Sequence, residues 1–346
     1  MNQTILEIRS QYEALRKTLS LFEEKRASLA RIWAEKKPKA LAFIGCGSSY
    51  MVSCSLRDAA AKVLDLPVFA MAAGDLWLNC ESYQRQLDGA MIVAVSRSGK
   101  TSEILHAADA MDAAGIRYTL CGIVAATDTP LGERAAVSLE IPWAFDESVC
   151  QTRSVSNLYA AGLCLISGFA GDKKVPEALS KLCETGDAYL KKAEPLMEQI
   201  AKEPWDKAVV LADGISAGVA TEGALAFQEI SQLPGAQHHV LDVRHGPIVL
   251  VGEKTLVLVY LLPSGQSQQE ALIRDLQKKG AKVLVYSNLP REIPDAETIS
   301  LGTDVGEAAG GIAFLNLCQL AAYEKSAETG SDPDAPTGLD AWIQVN

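Results

Sequence analysis

Residues 96–101 read Ser-Arg-Ser-Gly-Lys-Thr, between the apolar run 90–95 and a segment, 103–111, whose apolar residues recur at helical spacing. A turn that joins a parallel strand to a helix leaves the first helical N–H groups without internal partners, with the positive end of the helix dipole behind them. That is a place for a phosphate. Ser96, Ser98 and Thr101 would orient its oxygens, and Gly99 would let the backbone come close. A single hydroxyl is enough to cap a helix, so three hydroxyls and a glycine in six positions point past capping to anion binding. The spacing is not that of a Walker loop. Arg97 and Lys100 are either auxiliary cations or solvated surface charges. The segment IGCGSSY, residues 44–50, makes a second turn of this kind, with Cys46, Gly47, Ser48 and Ser49. On neighbouring strands, the two turns would hold one sugar phosphate across two strand ends. Proton-transfer candidates lie far downstream. Glu222 and Glu229 in TEGALAFQE are seven residues apart, hence on one helical face about two turns apart. Alanine, leucine, phenylalanine and glycine around them would desolvate a carboxylate and raise its pKa.

The elements that must position these groups follow from the same sequence. The chain has 346 residues, nearly half of them apolar, enough for two α/β domains. Its formal net charge of -11 argues against nucleic acid or an anionic membrane as a partner, though a local donor cluster can still hold a small anion. Eight scattered cysteines with no Cys-x-x-Cys pair read as reduced thiols of a cytoplasmic protein. Four histidines, at 106, 238, 239 and 245, make no metal cage, and no cofactor motif is present. The first residues carry charge throughout and lack a signal-peptide core. The apolar stretch IVLVGEKTLVLVYLL, broken at Gly252-Glu253-Lys254, reads as two strands and not a membrane span.

Ile5, Ile8, Tyr12, Leu15, Leu19 and Phe22 predict an amphipathic first helix, followed by a second that ends near Lys36. ALAFIG, GAMIVAVS and YTLCGIVAA then predict strands alternating with helices, hence a parallel sheet covered on both faces. The second half repeats the first. Gly214 lies 167 residues after Gly47 and Gly265 lies 166 after Gly99, within matching strand–turn–helix patterns. Agreement of the two offsets within one residue points to an internal duplication. The expected organisation is N-terminal helices over 1–37, a first domain over 38–172, connecting helices over 173–203, a second domain over 204–330 and a tail over 331–346.

CGSSY at 46–50, SRSGKT at 96–101, QTRS at 151–154, TEGALAFQEIS at 221–231 and RHGP at 244–247 occur in the order of the sugar isomerase (SIS) domain family. The chain resembles the isomerase half of glucosamine-6-phosphate synthases and the shorter phosphosugar isomerases, isomerising deaminases and deglycases. The resemblance implies two tandem SIS domains, each a five-stranded parallel sheet between helix layers, of flavodoxin-like or Rossmann-like type. It implies that Glu229 is the base that shuttles a proton between C1 and C2, and that Glu222 supports the substrate. His245 would assist ring opening in a neighbouring subunit's site, which makes a homodimer the minimum functional unit. Val149, Gln151 and Thr152 would line the sugar site. Arg153 stands where the synthases have lysine and is equally suited to a structural ion pair. His238 and His239 have no counterpart and are expected on the surface.

Three departures narrow the expected activity. Only about 38 residues precede the first strand, and residue 2 is Asn, so a glutaminase domain with an N-terminal cysteine is expected to be absent. Ala226 stands where the synthase helix has a lysine, and Ala341 replaces the tail lysine that contacts the open-chain sugar. The repeat's own turn, LPSGQSQQ, lacks the dense hydroxyl set, so one phosphate site per chain is expected. The reading is an enzyme acting on a hexose 6-phosphate by aldose–ketose isomerisation, with release of ammonia or an amine from an amino sugar or fructosyl-amine. Simple aldose–ketose isomerisation is the alternative. A non-catalytic sugar-phosphate sensor is the second alternative; the retained Glu229 and His245, and the lack of a basic helix-turn-helix segment, weigh against it.

Overall fold

A computed structural model describes residues 2–340, which divide into two compact units. The N-terminal unit comprises Glu13–Asp146 and Arg153–Ser180. The C-terminal unit comprises the chain up to Tyr12, Glu147–Thr152 and Lys181–Leu339. Ala341, where a tail lysine was expected in relatives, lies outside the described residues.

The N-terminal unit is built on five parallel strands, β1 (Leu41–Gly45), β2 (Val68–Ala72), β3 (Ala90–Ser96), β4 (Tyr118–Val124) and β5 (Val137–Glu140), in the order β2-β1-β3-β4-β5. Every residue of β1 and β3 is buried, as expected of strands with helices on both faces, and this explains their unbroken apolar composition. Ile44, Ala94, Ile104, Met111 and Leu131 belong to one core cluster of this unit. Two long helices pack together at its far side. Trp33 of α2 (Gln11–Lys36) stacks on Phe169 of α8 (Arg153–Ala170) at 4.6 Å. Thr18 of α2 donates to Asn157 of α8 at 2.9 Å.

The C-terminal unit has β6 (Lys207–Leu211), β7 (Gly235–His238), β8 (Thr255–Tyr260), β9 (Lys282–Ser287) and β10 (Glu297–Ser300), in the order β7-β6-β8-β9-β10. These pairs are parallel too. The order is the one seen in the first sheet, shifted by five strands. The matching glycines also share an unusual backbone: φ is 52° at Gly47 and 58° at Gly214, 64° at Gly99 and 67° at Gly265. Two α/β sheets flanked by helices are thus consistent with a duplicated unit. Helix α10 (Ser216–Ile230) lies against α12 (Gly306–Thr329) so closely that a Cβ on Gly223 would sit 2.7 Å from Cys318 Sγ.

Two local expectations are corrected. The first helix is not continuous from residue 5 to 22: α1 (Gln3–Arg9) ends at Ser10, whose N–H turns back onto Leu6 and Glu7 carbonyls, and α2 starts afresh at Gln11. The stretch IVLVGEKTLVLVYLL is one strand, not two. Pro247–Leu250 forms a 3-10 turn, and only Thr255–Tyr260 is a strand. Val249 and Leu250 are 75% and 71% exposed, while Ile248 and Val251 on either side of them pack on the core of this unit, so the run is not a strand buried on both faces. Among the described residues no helix is long and apolar enough to cross a membrane.

Candidate functional site

In a parallel sheet of order 2-1-3-4-5, the chain leaves β1 toward one edge and β3 toward the other. The crevice at the carboxyl ends of those two strands is where such folds hold ligands. β1 and β3 are adjacent and in register, Ile44 opposite Ala94, so both hydroxyl-bearing turns open at this point. The pairing of turns expected from sequence is therefore the one observed in the N-terminal unit.

The β3 turn is preorganised. Ser96 Oγ accepts the Gly99 N–H at 3.0 Å and meets Thr101 Oγ1 at 2.7 Å. Ser98 Oγ accepts the Lys100 N–H at 3.1 Å. Gly99 is buried with φ 64°, its carbonyl accepts the Leu131 N–H at 3.1 Å, and a Cβ there would fall onto the Thr129 side chain. Glycine is required on both counts. Helix α6 (Ser102–Ala113) starts directly after this turn. Arg97 is not a solvated charge: it is 7% exposed, with its guanidinium 6.0 Å from the centre of the Phe145 ring. Lys100 is exposed.

At the end of β1, Gly47 precedes α3 (Ser48–Ala61), and Ser48 and Ser49 are both buried in its first turn. A Cβ on Gly45 would lie 2.7 Å from the Ser49 carbonyl carbon, so Gly45 is what lets α3 start this close to β1. Burial, with the Glu103 carboxylate as a second cause, pushes the Cys46 thiol up to about 12. At neutral pH it stays a thiol and is a poor nucleophile. Arg153 pairs with buried Asp146 at 3.8 Å and donates to the Phe145 carbonyl, which is the structural role left open by the sequence.

The C-terminal unit carries the carboxylates. Glu222 on α10 is 1% exposed, and its charge, after burial, is one of the causes that raise the Cys318 thiol pKa. Glu229, seven residues along α10, is half-buried. His245 follows the short turn Asp242–Arg244 and is exposed, its N–H donating to the Asp242 carbonyl at 2.8 Å. Gly246 next to it has φ 138°. His239 is on the surface as expected, where its Nδ1 meets Asp213 Oδ1 at 3.0 Å.

Val149, Gln151 and Thr152 fall in the short segment that belongs to the C-terminal unit. The Val149 N–H donates to the Asp334 carbonyl at 3.0 Å, and Gln319 Nε2 donates to the Thr152 carbonyl at 3.1 Å. Sequence reading overlooked the groups that hold this segment: Glu7, Gln11, Gln319 and Asp334. One signal was available. Thr4, Glu7, Ile8 and Gln11 lie at helical spacing, so a glutamate stands on the stripe that should face the core.

The crevice of the second sheet differs in kind. Where the first unit offers serine hydroxyls, Glu307 brings an internal carboxylate to the start of α10, with Oε1 3.4 Å from the Ser216 N–H. A Cβ on Gly214 would lie 2.6 Å from the same oxygen. An anion at this helix terminus would have to approach a carboxylate.

Comparison with known proteins agrees with this layout. The chain is 22% identical over 349 residues to the glutamine–fructose-6-phosphate aminotransferase [isomerizing] of Methanothermobacter thermautotrophicus, an alignment covering 98% of the chain and 57% of that protein. It is 26% identical over 317 residues to the enzyme of the same name from Thermococcus kodakarensis, covering 88% of the chain and 52% of that protein. The chain thus spans about half the length of the curated relatives it matches. Among solved structures it is similar to a glucosamine-6-phosphate deaminase of Thermotoga maritima, with TM-score 0.82, 24% identity and coverage of 99% and 100% of the two chains. It is also similar to the tagatose-6-phosphate ketose/aldose isomerase of Escherichia coli, with TM-score 0.87, 21% identity and coverage of 100% and 97%. At these identities the structural likeness is one of fold. Residues 203–326 match the family described as SIS domain, and the chain therefore carries a SIS domain there, in the unit that holds Glu222, Glu229 and His245.

Proposed function

We propose that this chain is a phosphosugar-converting enzyme. It acts on an amino or fructosyl-amine hexose 6-phosphate by aldose–ketose isomerisation and releases ammonia or an amine. The observation that carries this reading is the pair of hydroxyl-bearing turns at the carboxyl ends of adjacent β1 and β3, at the point where strand order reverses. Ser48, Ser49, Ser96, Ser98 and Thr101 take the phosphate oxygens, with Cys46, Gly47 and Arg97 shaping the turns around them. Val149, Gln151 and Thr152 contact the sugar.

Glu229 is the general base. It removes the proton on the carbon next to the carbonyl or imine of the open-chain sugar and returns it to the neighbouring carbon through an enediol or enolamine. A 2-amino aldose becomes a ketose imine in this way, and water splits that imine into ketose and ammonia. Burial of Glu222 among α10 and α12 side chains suits a positioning role over proton exchange with solvent. His245 opens the ring in the site of a second copy, so the working unit is a homodimer, and the exposed Leu241, Val249 and Leu250 around that turn suit such a contact. The N-terminal unit is a second SIS-type domain with the phosphate site, and the C-terminal unit has none of its own because Glu307 stands in the matching crevice. Simple aldose–ketose isomerisation needs the same groups and is the second reading, favoured by the fold shared with the tagatose-6-phosphate isomerase.

A panel of hexose, hexosamine and fructosyl-amine 6-phosphates, followed for ammonia, free amine and ketose, tests the proposal directly. Amine release from one class confirms it, ketose alone selects the second reading, and no turnover of any member rejects both. Ser98→Ala is expected to weaken sugar 6-phosphate binding by about 1–2 kcal/mol, the loss of a hydrogen bond to a charged group. Calorimetric titration checks this. Equal affinity for phosphorylated and unphosphorylated sugar would remove the phosphate assignment.

A further inference from the structure

Glu7 is 0% exposed, and among the described residues its carboxylate accepts from the neutral donors of Gln3, Glu147 and Ser148. Its Oε1 accepts the Glu147 N–H at 2.6 Å, the Ser148 N–H at 3.2 Å and Gln3 Nε2 at 3.2 Å. Its Oε2 accepts the Ser148 hydroxyl, whose oxygen also lies 3.1 Å from the Cys150 carbonyl. A buried carboxylate satisfied by backbone donors fixes the peptide that donates them, because releasing it leaves a buried charge without partners.

The peptide in question is the start of the segment 147–152. Further attachments come from within the same unit. Asp334 takes the Gln3 and Thr4 N–H groups, each at 2.8 Å, and so caps α1 from the far end of the chain. Burial alone would raise the Asp334 carboxyl, but the hydrogen bonds from Thr4 and Gln3 outweigh it and hold the group below the usual range. The Asp334 carbonyl then receives the Val149 N–H, while Gln319, whose Oε1 accepts from Gln11 Nε2 at 2.8 Å, donates through Nε2 to the Thr152 carbonyl.

We infer that Glu7 is a positioning residue for the sugar-contacting segment: its carboxylate sets the backbone of Glu147 and Ser148, and through it the presentation of Val149, Gln151 and Thr152. This rests on the proposed function, since it takes those three residues as substrate contacts. Glu7 touches no substrate. Its effect is on where the segment lies.

The test uses the full chain with Glu7→Gln, Glu7→Ala and Ser148→Ala. Glutamine keeps the shape and one acceptor oxygen, and should stay within about tenfold of the parent in kcat/KM. Alanine should lose about 100-fold or more in kcat/KM on the substrate selected from the panel. Inhibition by inorganic phosphate, which probes the strand-end turns alone, should stay within twofold in every variant. Amide hydrogen exchange should quicken at 147–150 in Glu7→Ala and be unchanged in β1 and β3. Ser148→Ala, which removes one contact and keeps Glu7, gives the same exchange signature in weaker form should Glu7→Ala fail to fold. Turnover by Glu7→Ala within twofold of the parent, or exchange at 147–150 unchanged in both Glu7→Ala and Ser148→Ala, overturns the inference. Wild-type protein that turns over no sugar phosphate would instead reject the proposed function, so the two failures are distinct.

Discussion

Replacing Glu229 by glutamine is expected to lower turnover by about 10²–10⁴-fold, the usual contribution of a general base, while sugar phosphate binding stays within a few fold. The two side chains are nearly isosteric, and Glu229 is half-buried on α10, so the helix should tolerate the change. Loss of the exchangeable carboxylate is then the only chemical difference at the reacting carbon. The direct readout is exchange of the C2 proton with solvent deuterium, followed by NMR. Exchange at the parent rate in Glu229→Gln would refute the assignment whatever happened to product formation. The same variant tests the subunit arrangement. Neither His245→Ala nor Glu229→Gln should be active alone, whereas mixing them should restore part of the activity if His245 serves a second copy's site. Inactive mixtures would place His245 in the site of its own chain, and an active His245→Ala would place it outside the site.

Gly99→Ala is expected to abolish measurable sugar phosphate binding and to lower stability. The backbone at φ 64° costs a residue with a Cβ about 1–2 kcal/mol. The new methyl group would also strike the Thr129 side chain, which is itself buried and caps α7 (Pro130–Arg134) by accepting the Gly132 N–H at 3.1 Å. Relief requires the turn to move away from Thr129, and the Ser96, Ser98 and Thr101 hydroxyls would move with it. Thermal denaturation and phosphate titration measure the two effects. The double variant Gly99→Ala with Thr129→Gly removes the clash but not the strain, so partial recovery of stability is expected. Full binding by Gly99→Ala would mean that the turn does not hold the phosphate.

The strand-end turns were legible because everything that makes them is local. A run such as AMIVAVS, a glycine that accepts positive φ and a set of hydroxyls lie within a dozen residues, and the helix that follows supplies the dipole. The face shared by Glu222 and Glu229 was legible for the same reason, since helical periodicity converts spacing into direction. The two matching strand–turn–helix patterns could be read from two pairs of glycines because only a narrow set of residues tolerates their backbone angles. The run IVLV at 248–251 shows the limit of that reasoning. Apolar composition is necessary for a buried strand but does not create the neighbouring strand that completes its hydrogen bonds, and here there is none.

What residue types and spacing determined by themselves is the alternation of strands and helices, the two hydroxyl turns and the pair of carboxylates on α10. What only the tertiary structure decided is which distant segments meet: Glu7 with Glu147, Gln3 with Asp334, Gln319 with Thr152, and Glu307 with the start of α10. These contacts join residues roughly 90 to 330 positions apart, and each satisfies polar groups removed from water or set at a helix end. Periodicity carries no information over such distances, because closing a long loop costs nearly the same entropy for many competing partners. The choice among them is made by the packing of the whole unit, which brings these particular donors and acceptors together.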